Sequence, residues 1–162
     1  MNEATNRELK IERIVEAPAE LLWKCWTEPK YMLPWFTPKP WETIDARCDL
    51  KVGGEFFTLM KSPEGQEYPN AGVYLELIKS KRIVWTDAFL PGWIPTEDTS
   101  DRPFLLVASL DFEDLGNGKS KYTAIARHWT VEQANKHKEM GFYEGWGTCI
   151  DQLVEYIKAG MK

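Results

Sequence analysis

The sequence predicts an α+β fold: an antiparallel sheet of about seven strands against one long C-terminal helix, with two short helices after the first strand. Three observations carry this. Leu9, Ile11, Arg13 and Val15 alternate with Lys10, Glu12, Ile14 and Glu16, the two-residue period of a strand. Strand-like segments then recur from Trp41 to Trp129, divided by turn signals. Finally, Val131 to Lys158 holds no Pro, and Phe142, Trp146, Cys149, Ile150, Leu153, Tyr156 and Ile157 fall three and four apart, one apolar stripe of a helix.

Ala17-Pro18 ends the first strand, because Pro fixes φ and suits a helix start. Leu21, Leu22, Cys25 and Trp26 recur at helical spacing, and Pro29 and Pro34 then break the chain into an aromatic stretch and a Pro-rich loop through Pro40. Glu42 to Asp49 reads as the second strand and Glu55 to Lys61 as the third, with Gly53-Gly54 as a turn or bulge between them. Ser62-Pro63-Glu64-Gly65 turns the chain into Ala71 to Ile78, followed by Arg82 to Phe89. Leu90 to Pro103, with three Pro and a Gly, reads as a long irregular loop. Phe104 to Phe112 and Lys121 to Trp129 are the last strands, joined by the Gly116-Asn117-Gly118 hairpin signal. Thr130 and Gln133 make a capping box for the terminal helix. Gly141, Gly145 and Gly147 inside that helix are anomalous, since each costs about 1 kcal/mol relative to Ala. No repeat or linker interrupts the pattern, so residues 1–162 read as a single domain.

Composition narrows the function classes. A net charge of −5 with scattered lysines excludes a nucleic-acid partner, which needs a basic face. Cys25, Cys48 and Cys149 are odd in number, widely spaced and outside any CxxC motif, which suits a reducing compartment rather than a disulfide framework or zinc site. No apolar run reaches the ~18 residues of a membrane span, and the polar MNEATNRELK start lacks a signal-peptide core. Cytoplasm is the expectation. Eight Trp, seven Phe and six Tyr are what a dense core or an aromatic-lined pocket would use.

The segments IERIVEAPAELLWKCWTEP, PWFTPKPWE, CDLKVGGEFFTLM, NAGVYLELI, RIVWTDAF and KHKEMGFYEGWGTCIDQLVEYI, in this order and spacing, resemble the START-like (SRPBCC) family named for the C-terminal domain of the heat-shock protein 90 ATPase activator. The resemblance implies a helix-grip (START/Bet v 1-like) fold, a curved antiparallel sheet around the long C-terminal helix. It also implies a space between the two that often takes an apolar small molecule. The wider superfamily includes lipid carriers, polyketide cyclases and hormone receptors, so the fold does not fix a function. The activator's separate N-terminal domain has no room in 162 residues, and a co-chaperone role is therefore not expected to carry over.

Strand parity selects the candidate site. Ile83, Trp85, Asp87 and Phe89 share a face, as do Thr123, Ile125, Arg127 and Trp129, and the Arg127 set is favoured as inward. Arg13 follows by the same logic, and Glu76 joins it as a charge near the pocket. Their alternative use is internal pairing that supports the sheet, because a buried charge is costly alone. Trp35, Phe36 and Trp41, with Trp93, are candidates for the cavity mouth. The candidate ligand-binding residues are thus Arg13, Trp35, Phe56, Glu76, Trp85, Asp87, Phe89, Arg127, Trp129, Tyr143 and Trp146. His128 and His137 lack a third ligand for a metal site, and His137 reads as solvated. The expectation is a binder of a small apolar or aromatic molecule, without cofactor or metal. The alternatives are a cofactor-free cyclase-type enzyme using Asp87 or Glu76 beside Arg127, and a chaperone-related interaction module. Sheet edges and loop aromatics permit a homodimer.

Overall fold

The computed structural model describes residues 6–97 and 104–162. Strand β1 (Glu8–Val15) buries Leu9, Ile11 and Val15 and exposes Lys10, Glu12 and Ile14, as its alternation requires. Pro18 is the N-cap of α1 (Ala19–Thr27), which buries Leu22, Cys25 and Trp26; Pro29 opens the one-turn α2 (Pro29–Met32). There follow β2 (Glu42–Cys48), β3 (Glu55–Lys61), β4 (Glu67–Ile78), β5 (Arg82–Thr86), β6 (Phe89–Leu90), β7 (Ile94–Pro95), β8 (Leu106–Gly116) and β9 (Lys119–His128). Helices α3 (Val131–Glu139) and α4 (Phe142–Lys158) close the chain. The main sheet is antiparallel throughout, in the order β1-β9-β8-β5-β4-β3-β2. Its two edge strands are therefore successive in sequence, and α1 and α2 carry the chain from one edge to the other. This is the helix-grip arrangement.

Several boundaries differ from the sequence expectation for identifiable reasons. Strand β4 starts at Glu67 rather than Ala71 and runs through Pro69. Proline is tolerated there because β4 pairs with β3 over Glu67–Val73 and with β5 only from Val73 onward, so Pro69 has a sheet neighbour on one side. Strand β5 stops at Thr86 rather than Phe89, where side chains begin to take the backbone bonds. The Ala88 N–H donates to Thr86 Oγ1 at 3.1 Å, and the Leu106 N–H donates to Asp87 Oδ1 at 2.9 Å. The segment read as an irregular loop contains the small β6–β7 hairpin; its remainder at 98–103 lies outside the described residues. The β8–β9 turn places Asn117 and Gly118 at φ 54° and 74°, the positive pair that a type I′ hairpin demands.

The single terminal helix of the sequence reading is two helices. Gly141 takes φ 95° between them, so it is a break and not an interior glycine. The Thr130 cap forms, its Oγ1 accepting from the Gln133 N–H at 3.1 Å. The return bond of a capping box does not: Gln133 Oε1 is buried without a partner among the described residues. Helix α4 buries Phe142, Ile150, Leu153 and Ile157 against the sheet, with Trp146, Cys149 and Tyr156 half-buried beside them. At about 1.5–3 kcal/mol per large apolar side chain, that stripe is a main tie between helix and sheet.

Candidate functional site

Register defines the face that α4 covers. One row runs Tyr74, Trp85, Ala108, Ala126, Leu9 across five strands, and the next runs Ile83, Leu110, Ala124, Ile11 across four. Ala108 and Ala126 leave Trp85 without a bulky neighbour on that side of its row. Rings delivered by the loops and helices fill the space instead. Trp26 meets Trp35 at 5.0 Å between centroids, Phe36 at 5.4 Å and Trp85 at 5.4 Å. Phe56 stacks on Tyr74 at 5.2 Å and meets Trp85 edge-on at 5.2 Å. Trp85 and Trp146 lie nearly parallel, 6.4 Å apart with planes 12° from one another. Trp26, Trp35, Phe56 and Tyr74 are buried, whereas Phe36, Trp85 and Trp146 are half-buried, so the cluster reaches solvent on one side.

Polar groups inside this cluster are few. The Trp26 indole N–H donates to the Tyr122 hydroxyl at 3.1 Å. Trp35 Nε1 and Tyr74 Oη are buried with no hydrogen-bond partner among the described residues. The Tyr74 hydroxyl neighbours the Cys48 thiol, outside the geometry of a defined hydrogen bond, and burial raises its pKa far above the ordinary range. Burial likewise lifts the Cys25 and Cys149 thiols to about 12 and raises Cys48. None of the three is poised as a nucleophile.

At one end of the cluster His128 and His137 pair at 2.8 Å (Nε2 to Nδ1). His128 Nδ1 lies 3.0 Å from the Arg7 carbonyl oxygen, which can only accept, so His128 carries its proton on Nδ1 and accepts from His137 Nδ1–H. Phe104, Phe142 and Trp146 surround His137. Burial, then the neighbouring His128, pushes His137 down to about 4. Burial also lowers His128, with the Arg7 carbonyl and the Asp87 carboxylate opposing. His137 is therefore not the solvated residue that its Lys- and Glu-rich surroundings suggest.

The structure brings Trp35, Phe56, Trp85 and Trp146 together and disperses the rest. Arg13 does face α4, but its guanidinium is tied to the Gly147 carbonyl (3.3 Å) and Asp151 Oδ1 (3.0 Å). Asp87 sits past the end of β5 as a backbone cap. Phe89 packs on Trp93 in the small hairpin, and Trp129 and Tyr143 are 51% and 41% exposed. Two orientations are reversed. Arg127 lies on the outer face, where it bonds Glu8 (2.9 Å) and Ser109 (3.2 Å), because the inward positions of β9 are Tyr122, Ala124, Ala126 and His128. Glu76 is also outward, paired with Arg82, because a bulge between Tyr74 and Glu76 shifts the parity of β4. The nominated grouping of Asp87 or Glu76 beside Arg127 is thus not assembled. Trp26, Tyr74 and the histidine pair were the residues missed, whereas Phe36, read as a mouth residue, does stand half-buried in the cluster; Tyr74 was recoverable by parity, the others only by tertiary contact.

A separate open groove of about 390 Å³ lies between β1 and α4, lined by paired charges that include Arg13, Glu16, Asp151 and Lys158. Among the described residues no three His, Cys, Asp or Glu side chains gather to hold a metal, and no helix is long and apolar enough to cross a membrane.

Comparison with known proteins agrees with this architecture. Residues 16–158 match the family described as "Activator of Hsp90 ATPase homolog 1-like protein". Protein NE0264 from Nitrosomonas europaea is 39% identical, with a TM-score of 0.89 over 96% of this chain and 97% of that one. A Rhodobacter sphaeroides protein shares the fold at 15% identity, with a TM-score of 0.81 over 98% and 97%. An AHSA1-like protein from Aeromonas hydrophila does so at 18%, with a TM-score of 0.69 over 94% and 93%. No curated protein matches the chain. With a match over most of its length and the helix-grip topology in place, the chain belongs to the Activator of Hsp90 ATPase homolog 1-like family of the START-like superfamily.

Proposed function

We propose that this protein binds a small apolar or aromatic molecule at the ring cluster between the sheet and α4. The observation that carries the reading is a graded aromatic surface. Half-buried Phe36, Trp85 and Trp146 lead inward to Phe56, Tyr74 and Trp35, two of which hold a polar atom with no hydrogen-bond partner among the described residues. Rings left half in water gain when a guest covers them, and an aromatic guest matches their offset and edge-on preferences. The rings already touch one another, so a guest enters by moving Trp146 or Phe36, the partly exposed members, while the buried ones stay. A catalytic reading finds less support: the thiols are held protonated, the histidines are bonded to each other, and the nominated carboxylates lie apart.

Titration with aromatic and fatty-acid probes, followed by tryptophan fluorescence, tests the proposal. The expected result is a saturable change with an aromatic probe that Trp146→Ala weakens at least tenfold. A panel with no saturable response would refute it.

A further inference from the structure

The binding reading can be taken further, to the charge and hydrogen-bonding character of the guest, because no charged residue among those described is buried in the interior. The buried polar residues among those described are threonines, serines and the two histidines; no Asp, Glu, Lys or Arg is buried. The charges read near a pocket are either turned outward or already engaged. Arg127 and Glu76 are on the outer face, Arg13 is engaged by Gly147 and Asp151, and Asp87 caps a backbone N–H beyond the end of β5. The histidine pair adds no cation near neutral pH, since its proton positions are fixed by the Arg7 carbonyl and burial disfavours a charge.

What the ring cluster offers, among the described residues, is two donors without a defined hydrogen bond, Trp35 Nε1 and the Tyr74 hydroxyl beside the Cys48 thiol. Trp35 Nε1 can only donate, and Tyr74 Oη remains protonated. Both side chains are essentially fully buried, at 1% and 0% exposure. They stand at the two ends of one run of rings: Trp35 to Phe36 (5.4 Å), Phe36 to Phe56 (6.1 Å) and Phe56 to Tyr74 (5.2 Å). Buried polar groups in native proteins are usually satisfied, so two orphans on one aromatic run point to an absent acceptor.

We infer that the natural ligand is an uncharged molecule with a flat apolar body and a hydrogen-bond acceptor such as a carbonyl, which takes a bond from Tyr74 Oη or Trp35 Nε1. The inference rests on the binding function proposed above. A carboxylate offers acceptors too, but it would leave water for a ring cluster whose neighbouring described arginines are already engaged, Arg13 by Gly147 and Asp151 and Arg7 by the His128 and Trp129 carbonyls. A plain hydrocarbon enters freely and leaves both donors unmet.

Three probes of one shape separate these cases: naphthalene, 2-acetylnaphthalene and 2-naphthoate, titrated into ¹⁵N-labelled protein while the indole N–H resonances are followed. The ketone is expected to bind at least tenfold more tightly than either of the others. Tyr74→Phe or Trp35→Phe is expected to weaken the ketone about tenfold more than it weakens naphthalene; that excess is the loss of roughly one net hydrogen bond. Tyr74→Phe removes a single oxygen, and the wild-type series needs no variant, so folding of the variants does not decide the outcome. Naphthoate binding as tightly as the ketone, or ketone affinity indifferent to both substitutions, would overturn the neutral-acceptor inference and leave the binding function standing. Failure of all three probes to bind would overturn both.

Discussion

The Arg13 guanidinium rests against the backbone of Gly147, close enough that a methyl group built on that glycine would lie 2.6 Å from Arg13 Nη2. The contact explains one of the glycines that looked out of place in a helix. It joins an edge strand to the helix over the sheet, and Arg13 donates there to both the Gly147 carbonyl and Asp151. Gly147→Ala sets two terms against each other. Alanine gains about 1 kcal/mol of helix propensity, while the arginine tip must swing away and give up partly exposed bonds worth about 0–1 kcal/mol. We expect Gly147→Ala to stabilise the wild type by less than the ~1 kcal/mol that it yields in an Arg13→Ala background. Urea denaturation of the four proteins gives the coupling; strict additivity would mean that Arg13 is not what holds the alanine out.

Two buried tyrosines give opposite expectations. Tyr122 accepts from the Trp26 indole, so Tyr122→Phe strands a buried N–H and should cost about 1–3 kcal/mol. Tyr74 has no hydrogen-bond partner among the described residues, so Tyr74→Phe in ligand-free protein should cost nothing or stabilise slightly. Urea midpoints of the pair check this, and equal losses would contradict it.

The histidine pair makes stability depend on acid. The folded-state pKa of His137, about 4, lies below its ordinary 6.5, so the unfolded chain binds the extra proton first as pH falls. Stability is complete above about pH 6.5 and is lost as pH drops toward 4. By linkage the loss attributable to this residue between pH 7 and pH 4.5 is roughly 2–3 kcal/mol. His137→Gln should flatten the pH dependence by about that amount, read from urea curves at the two pH values. An unchanged slope would place His137 in water after all.

Thiol chemistry reports on the same interior. With Cys25 and Cys149 at about 12, almost no thiolate exists at pH 8. Ellman's reagent should leave both unreacted in native protein and titrate all three cysteines once urea unfolds it. Rapid native labelling at Cys25 would show that the core opens on the timescale of the reaction.

The fold was legible because its signals are local and repeated. The alternation of β1, the Asn117-Gly118 turn and the α4 stripe each follow from residues near in sequence. The site was legible only where parity survived. Alternation placed Trp85 on the inward face of β5, yet the same rule failed at Glu76 because one bulge inverts the faces, a geometry with no marker in the residues themselves. On β9 alternation offered two faces of comparable polarity. The alanine face turns inward because rings from α1, α4 and the Pro-rich loop need the volume, and that demand comes from other parts of the chain. His137 was misplaced for a similar reason: its neighbours in sequence are charged, but its neighbours in space are Phe104, Phe142 and Trp146.

Strand β4 passes from β3 to β5 around Val73 and Tyr74, where its backbone is bonded on both sides: Val73 lies between Glu55 and Thr86, and Tyr74, opposite Trp85, also exchanges bonds with Gly53 and Gly54. Beside that crossover, a methyl group on Gly72 would lie 2.2 Å from the Thr86 carbonyl oxygen, which is backbone and cannot step aside as a side-chain tip can. Any larger residue at 72 would push β4 and β5 apart at the crossover, and the concave surface beneath the aromatic cluster would lose its curvature. The shape of the whole grip therefore hangs on one missing carbon atom.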